Sequence, residues 1–388
     1  MRVMHICLSG TFNDKWNYQD NILTKYHRKM GNDVAVVASK WVWDENGEMT
    51  QLDEKDYYRN DDGVEIFRLN ILGIDNYNRK FKRYENLISI IKEWNADVLF
   101  IHGPQFIDID VIRKYLIKNS HIRVFVDNHA DKMNSAKSWL SKYILHKIIW
   151  RILIKRIEPY VIKFYGVLPI RVEFMKEMYG VKEEKLDLLL LGADDELIEK
   201  TINTTDTEAI RKTCEIGEED FFIITGGKID KNKTQIFTLM KAINKIESHK
   251  VKLVVFGSVS ESMKEEFNKQ LSKKVKYIGW LNPEDTYKYF YSADLVVFPG
   301  LHSVFWEQAV GLGKPCIFKY IPGFDHIDLN GNCLFFENDT ISEMINKVLM
   351  VWNDKSKYYQ MKNIAKSEGM KYFSYASIAN KSILKESI

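Results

Sequence analysis

Residues 293–315 read ADLVVFPGLHSVFWEQAVGLGKP. After Asp294, the apolar run Leu295 to Phe298 predicts a buried strand, and Pro299-Gly300 ends it. Leu301-His302-Ser303 form a short loop. A helix follows over 304–312, closed by Gly313 and Pro315, and Cys316-Ile317-Phe318 open another strand at once. Strand, tight turn, helix and strand make the unit of a parallel sheet with helical crossovers. Such a turn sits at the carboxyl end of a strand, where open α/β sheets bind ligands. Backbone N–H groups at the helix start can hold phosphate oxygens. Ser303 can cap the helix or donate to a phosphate, and Glu307 or Gln308, one turn in, can reach a ribose.

A chain of 388 residues is long enough for two substantial cores. Its apolar and charged fractions are those of a soluble globular protein. A net charge of +3 is close to balance, so any basic surface must be local. Cys7, Cys214, Cys316 and Cys333 are scattered without metal spacing, as expected of free thiols in a reducing cytosol. Val3 to Leu8 is too short for a secretory signal and reads as a strand. No uninterrupted apolar stretch is long enough to span a bilayer. The expected location is cytoplasmic.

The 293–315 stretch resembles the donor-binding segment of GT-B fold glycosyltransferases, most closely family four (glycosyl transferases group 1). Those enzymes carry a helix reading roughly E-A-x-A-x-G-x-P. Here Gln308-Ala309-Val310-Gly311-Leu312-Gly313-Lys314-Pro315 keeps the spacing, with Gln in place of the ribose-holding Glu and Glu307 one position earlier. The family's second acid, eight positions before, is absent: the counts land on Gly300 or Pro299, and His302-Ser303 occupy a shortened loop. Read as residues alone, the stretch is also an ordinary α/β unit with a capped helix.

The first half opens as strand, turn and helix: Val3 to Leu8, Ser9-Gly10-Thr11, then Tyr18 to Met30, with a strand at Val34 to Ala38. It lacks G-x-G-x-x-G, so a dinucleotide site is not expected. By resemblance, Gly10 lets the backbone approach a sugar phosphate; as residues it is equally a plain turn glycine. Tyr18-Gln19-Asp20 either face an acceptor or form a solvated helix start. Residues 41–63 read as loop or hairpin, Val64 to Leu69 as strand and Phe81 to Glu93 as helix. Strands follow at 97–101, 124–126 and, interrupted by Gly166, 161–168. Asp127-Asn128-His129-Ala130-Asp131 lies beyond a strand end. The resemblance puts His129 beside the transferred sugar, with Asp131, Asn128 or Asp127 binding or deprotonating an acceptor.

Residues 136–158 are helical in pattern. Trp139, Leu140, Tyr143, Ile144, Ile148, Ile149, Ile152 and Leu153 supply an apolar stripe. Lys137, Lys142, Lys147, Arg151, Lys155 and Arg156 crowd the rest. The pattern fits an anionic membrane surface, and equally a helix packed on a sheet with a solvated basic face.

In the second half, Phe221 to Thr225 predicts a strand, followed by Gly226-Gly227-Lys228-Ile229-Asp230-Lys231-Asn232-Lys233. The family shows G-R-L and a Lys four residues after the Leu; here Gly227-Lys228-Ile229 and Lys233 stand there. Glycines permit close backbone approach, and two fixed cations stabilise a departing diphosphate. Lys252 to Phe256 is a strand ending at Gly257. Val275 to Ile278 is another, with Trp280 at its turn, where it either stacks on a base or is core.

The resemblance therefore implies an α/β GT-B fold of two Rossmann-like domains with a cleft between them. The acceptor domain would be 1–193 plus a returning helix at about 370–388, and the donor domain 194–369. The implied function is glycosyl transfer from a nucleotide-diphosphate sugar, UDP-sugar favoured over GDP-sugar, to a glycan or lipid-linked acceptor in bacterial surface polysaccharide or glycoconjugate synthesis. The chemistry is expected to be retaining and metal-independent, with no cofactor and no nucleic-acid partner. Catalytic candidates are His129, Asp131, Lys228 and Lys233. Donor-binding candidates are Gly10, Gly227, Gly257, Trp280, His302, Ser303, Val304, Glu307 and Gln308; acceptor-binding candidates are Tyr18, Gln19 and Asn128. A nucleotide-sugar epimerase and a non-catalytic nucleotide-sugar binder are the rival readings.

Overall fold

The computed structural model describes residues 1–14, 16–44, 48–52, 56–73 and 80–383. Parts of the 41–63 and 370–388 expectations lie outside the described residues. The chain divides into two compact units, Met1–Leu190 with the chain from Ile378 onward, and Leu191–Ser377.

The first unit is built on an eight-stranded sheet. Its order is Leu186–Leu188, Lys163–Gly166, Arg123–Asn128, Val98–His102, Arg2–Cys7, Asp33–Ser39, Glu65–Leu69 and Tyr57–Arg59. All neighbours are parallel except the edge strand Tyr57–Arg59. Helices cover both faces, so the central strands are buried throughout: Val98–His102 shows no exposed position. Two elements differ from expectation. The helix placed over 81–93 begins only at Leu87, because Lys82 and Asn86 take positive φ, 58° each. The helix Ile109–Leu116 went unread; its apolar positions 109, 112 and 116 fall on one face over less than three turns.

The basic segment forms a π-helix, Ser141–Trp150, running into the α-helix Arg151–Ile157. His146, Trp150, Ile154 and Ile157 face the core. The stripe read either as a membrane face or as a packed one is largely outside: Trp139 is 68% exposed, Leu140 56%, Ile152 51% and Ile148 48%.

The second unit carries a six-stranded parallel sheet. Its order is Val275–Tyr277, Val251–Phe256, Phe221–Gly226, Leu295–Phe298, Cys316–Lys319 and Cys333–Phe336. The deciding stretch folds as read, with strand Leu295–Phe298, helix Phe305–Gly311 and strand Cys316–Lys319. Gly311 is required by packing, since a Cβ there would stand 2.6 Å from Ala193 Cβ. Cys7, Cys214, Cys316 and Cys333 are free and buried.

Candidate functional site

In the second unit the chain leaves strand Phe221–Gly226 towards one edge of the sheet and returns as Leu295–Phe298 on its other side. That is a topological switch point, where the loops after the two strands diverge and leave a crevice. The loops are those carrying Gly227 to Lys233 and Gly300 to Val304.

Backbone lies against backbone here. Gly227 N–H donates to Phe256 O at 3.0 Å, and Gly257 N–H to Gly279 O at 2.7 Å. A Cβ at Gly257, which has φ +114°, would fall 2.0 Å from Gly227 O. Glycine is therefore obligatory at 257. The Lys233 side chain lies over Gly300: its Cγ is 3.9 Å from where a Cβ would project, and its Nζ is 3.9 Å from the same point at Gly227. Burial lowers the pKa of this amine, with Asp230 opposing. Beside it, Gln235 Oε1 is buried without a partner, 3.5 Å from the Cβ position of Gly300. Lys228 is exposed. A desolvated ammonium and an unpaired amide oxygen thus meet at a glycine-walled crevice, an arrangement suited to an anion carrying hydroxyl groups.

The helix-start residues behave differently. Glu307 is fully buried. Its Oε1 lies 2.8 Å from His302 Nε2 and 3.0 Å from His326 Nε2. Burial alone would raise the Glu307 pKa, but the two imidazoles overcome it and hold the carboxyl at about 2. Glu307 Oε2, Trp306 Nε1 and His326 Nδ1 have no partner among the described residues. Glu307 is therefore a buried carboxylate that fixes His302, not an exposed hydroxyl acceptor. Gln308 is 2% exposed, Ser303 and Val304 are half-buried, and Ser303 Oγ accepts weakly from Phe305 N–H at 3.5 Å. Trp280 is 71% exposed, which removes the core reading for this ring.

The switch point of the first unit lies between Arg2–Cys7 and Val98–His102. Gly103 (φ +78°) packs on Ser9, whose Oγ would be 2.7 Å from a Cβ there. Gly10 has open space where a Cβ would project. Lys82 Nζ donates to Ser9 O, and burial lowers its pKa to about 8. Asp127 is buried: its Oδ1 accepts from Gly103 N–H at 3.0 Å, and its Oδ2 meets His102 Nδ1 at 2.8 Å and His129 Nε2 at 3.5 Å. Burial would raise the Asp127 pKa, yet His102 and His129 hold it far below the carboxylate range. His129 has a 44% exposed side chain. Asp20 stands near His102, His129 and Asp127, and burial raises its pKa.

Two candidates on this unit are taken up by the fold itself. Asp131 accepts from Met133 and Asn134 N–H at 2.8 and 2.7 Å and pairs with Arg171 at 3.0 Å. It caps a turn, with both carboxylate oxygens already engaged. Asn128 is fully buried and spends its amide on Gln105 and Ala130. Tyr18 is 51% exposed, but burial about its hydroxyl raises its pKa. Gln19 is the opposite case: it is 2% exposed, with neither amide atom partnered among the described residues.

Two trios, His102-Asp127-His129 and His302-Glu307-His326, bring ligand-type atoms within 4.8 Å of one another. In both, the carboxylate oxygen is already engaged by imidazole at the distances above, and we assign them as hydrogen-bonded networks.

The glycosyl transferases group 1 family model matches residues 206–368, which contain the whole second-unit crevice. Residues 206–368 are thus similar to glycosyl transferases group 1. An uncharacterized glycosyltransferase of Methanocaldococcus jannaschii is 24% identical over 217 residues, 53% of this chain and 55% of that protein. The chain thus spans about half the length of this relative. Among solved structures, sucrose-phosphate synthase from Thermosynechococcus elongatus superposes with TM-score 0.69 at 13% identity, covering 98% of this chain and 96% of that one. Anabaena HepE in complex with UDP and glucose gives TM-score 0.66 at 11% identity, with 98% of each chain covered. The fold of the chain is GT-B, and the matched residues 206–368 lie in its second Rossmann-like half.

Sequence reasoning passed over Lys82, Gln235, His326, His5, His27 and His102. Only His5 left a signal, as an imidazole in the middle of an apolar strand, RVMHIC.

Proposed function

We propose that this protein transfers a sugar from a nucleotide-diphosphate sugar, held by the second unit, to a glycan or lipid-linked acceptor selected by the first. The observation that carries the reading is Lys233: a desolvated ammonium at the switch point, against two glycines and without a carboxylate bonded to it among the described residues. Lys233, joined by the more exposed Lys228, would neutralise the departing diphosphate, so the reaction needs no metal. Gln308, not Glu307, is the closer match to the ribose position, with Glu307 setting His302. Trp280 would cover the base, and His129, backed by Asp127, would meet the transferred sugar with retention. HepE's complex with UDP supports a UDP-sugar donor. Bacterial surface polysaccharide or glycoconjugate synthesis suits such an acceptor.

Thermal shift with UDP-, GDP- and ADP-sugars, followed by transfer assays with the stabilising donor, tests the reading. Stabilisation by a nucleotide sugar with transfer to an added glycan supports it. Stabilisation with no transfer favours the non-catalytic binder, for which the missing family acid argues. Donor conversion without acceptor establishes the epimerase. The exposed stripe Trp139, Leu140, Ile148 and Ile152, flanked by lysines and arginines, supports peripheral binding to the cytoplasmic face of an anionic bilayer. No helix among the described residues is long and apolar enough to cross a membrane.

A further inference from the structure

Three histidines form a continuous line through the core of the first unit. His5 sits mid-strand, opposite Phe100 in register; His102 lies two residues on from Phe100, on the same face. His5 Nδ1 is 2.9 Å from His102 Nε2. His5 Nε2 is 2.9 Å from Nδ1 of His27, on the helix Gln19–Lys29. His27 Nε2 reaches the terminal helix Tyr375–Ile383, 2.8 Å from Ser382 Oγ and 3.1 Å from Ala379 O. At the other end His102 Nδ1 meets Asp127, its direct cross-strand partner, at 2.8 Å. His5 and His27 are fully buried and His102 nearly so.

The protons on this line can be counted. It has four links: Asp127 to His102, His102 to His5, His5 to His27, and His27 to the helix. The two inner links need one N–H each. Asp127 accepts only, so the first link needs an N–H on His102 Nδ1. Ser382 Oγ can donate to His27 Nε2, but Ala379 O accepts only, so bonding it needs an N–H on His27 Nε2. With that bond the line takes four N–H groups, and three neutral imidazoles carry three. With three, the line must reverse: His27 Nε2 turns acceptor, Ser382 donates to it, and a lone pair faces Ala379 O. Adding one proton at His27 Nε2 restores every link by hopping. His27 Nδ1–H passes to His5 Nε2, His5 Nδ1–H passes to His102 Nε2, and the charge comes to rest on His102 beside Asp127. Ser382 O–H is then free to donate to Ala379 O, which it meets at 2.8 Å.

We propose that His5 and His27 are positioning residues for the Asp127–His129 pair, acting through a line that donates to Ala379 O of the terminal helix only when it holds one excess proton, so that seating of that helix and placement of His129 are coupled. The positioning role rests on the reading of His129 given above; the proton count does not.

The surroundings favour charge at the Asp127 end. Burial would lower the His102 pKa, but Asp127 and Asp20 raise it above the ordinary value. Burial lowers His5 strongly and brings His27 to about 4, so both stay neutral. Asp20 faces the line from the helix of His27, and His129 from beyond the strand of Asp127. The Cys7 thiol, raised by burial, Asp20 and Asp127 with Arg68 opposing, lies on the strand of His5. The ring of Tyr165 stacks on Phe100 at 6.5 Å. Near Ser382, Lys381 pairs with Asp187 at 3.1 Å. Because the His102 pKa is raised on folding, the line's stabilisation is complete below the unfolded value, about 6.5. It is lost as pH rises through the folded one.

The test uses the full chain with nitrogen-15 histidine. Below the folded pKa we expect both His102 ring nitrogens protonated, and His5 and His27 neutral with the proton on Nε2. As pH rises, amide exchange in 379–383 should accelerate, beyond its ordinary base catalysis, as the His102 signal titrates. His5→Gln should abolish that coupling, quicken exchange there roughly tenfold, about 1.4 kcal/mol, and move the His129 ring signals. Ser382→Ala keeps the count and should keep the pH coupling, so it and the wild-type series decide the matter if His5→Gln does not fold. A neutral His102 on an intact line, or helix exchange indifferent to its titration, overturns the proton count. Unmoved His129 signals in His5→Gln overturn the positioning role. None of these readouts uses transfer, so their failure is distinct from failure of the proposed reaction. Where transfer is measured, His5→Gln should shift the pH profile of kcat with little change in KM.

Discussion

Both units present a switch point at the carboxyl end of a parallel sheet, and each keeps a buried carboxylate–imidazole trio near it, yet they line the crevice itself differently. The second unit strips side chains away: Gly226, Gly227 and Gly257 bring backbone into contact, and Lys233 lies over them. The first fills the same position with buried ionisable groups, Asp20, Asp127 and His102, with Lys82 beside Ser9. A fixed cation on a glycine floor suits a ligand whose charge is constant, such as a diphosphate. A buried carboxylate–imidazole cluster suits a site where a proton or a neutral hydroxyl is handled. The topology supplies the crevice in both cases, and the side chains decide what enters it.

The largest effect that would break the contrast is steric. Gly257→Val should unfold the second unit or lower its thermal midpoint by well over 10 °C, roughly, since it adds clash to a positive-φ strain of about 1–3 kcal/mol. Calorimetry should show the first unit's transition little changed. Next comes charge: Lys233→Ala should cut transfer on the order of a hundredfold, with folding intact by circular dichroism. A Lys233→Ala enzyme that still transfers at wild-type rate would remove the lysine from the chemistry. The acid limb separates the units further. Glu307 has a depressed pKa, so its contribution to stability is present above the unfolded value, about 4.3, and lost as pH falls towards 2. Glu307→Gln should flatten that loss in acid titrations of the second unit and lower stability at neutral pH. The smallest effect sharpens the first unit. Trp139→Ser with Ile152→Ser should weaken sedimentation with anionic liposomes several-fold while leaving transfer to a soluble acceptor unchanged. Equal binding to neutral and anionic vesicles, unmoved by salt, would dismiss the membrane reading.

Much of this architecture is legible from residues alone. The 293–315 stretch announces its strand, loop, helix and strand because apolar runs, Gly and Pro fall where a parallel crossover needs them. Lys233 was reachable through the resemblance of Gly227-Lys228-Ile229 and the following Lys to the family's motif. What escaped depends on pairing between distant positions. His5, His27 and His102 stand 22 and 97 residues apart along their two links, and no local pattern records such a meeting. Glu307 looked like a ligand group because it follows the loop at the helix start, but His326, 19 residues on, turns it inward. The basic helix stays open between two readings because apolar residues run round most of it, with His146, Trp150, Ile154 and Ile157 buried while Ile148 and Ile152 are exposed.

The four cysteines leave a practical opening. All are buried, and burial pushes the thiols of Cys7, Cys214, Cys316 and Cys333 upward, so none offers maleimide a ready thiolate in the native protein. A single cysteine introduced at Trp280, already 71% exposed, would take a fluorophore alone. Donor arrival could then be followed by emission in the otherwise unaltered chain.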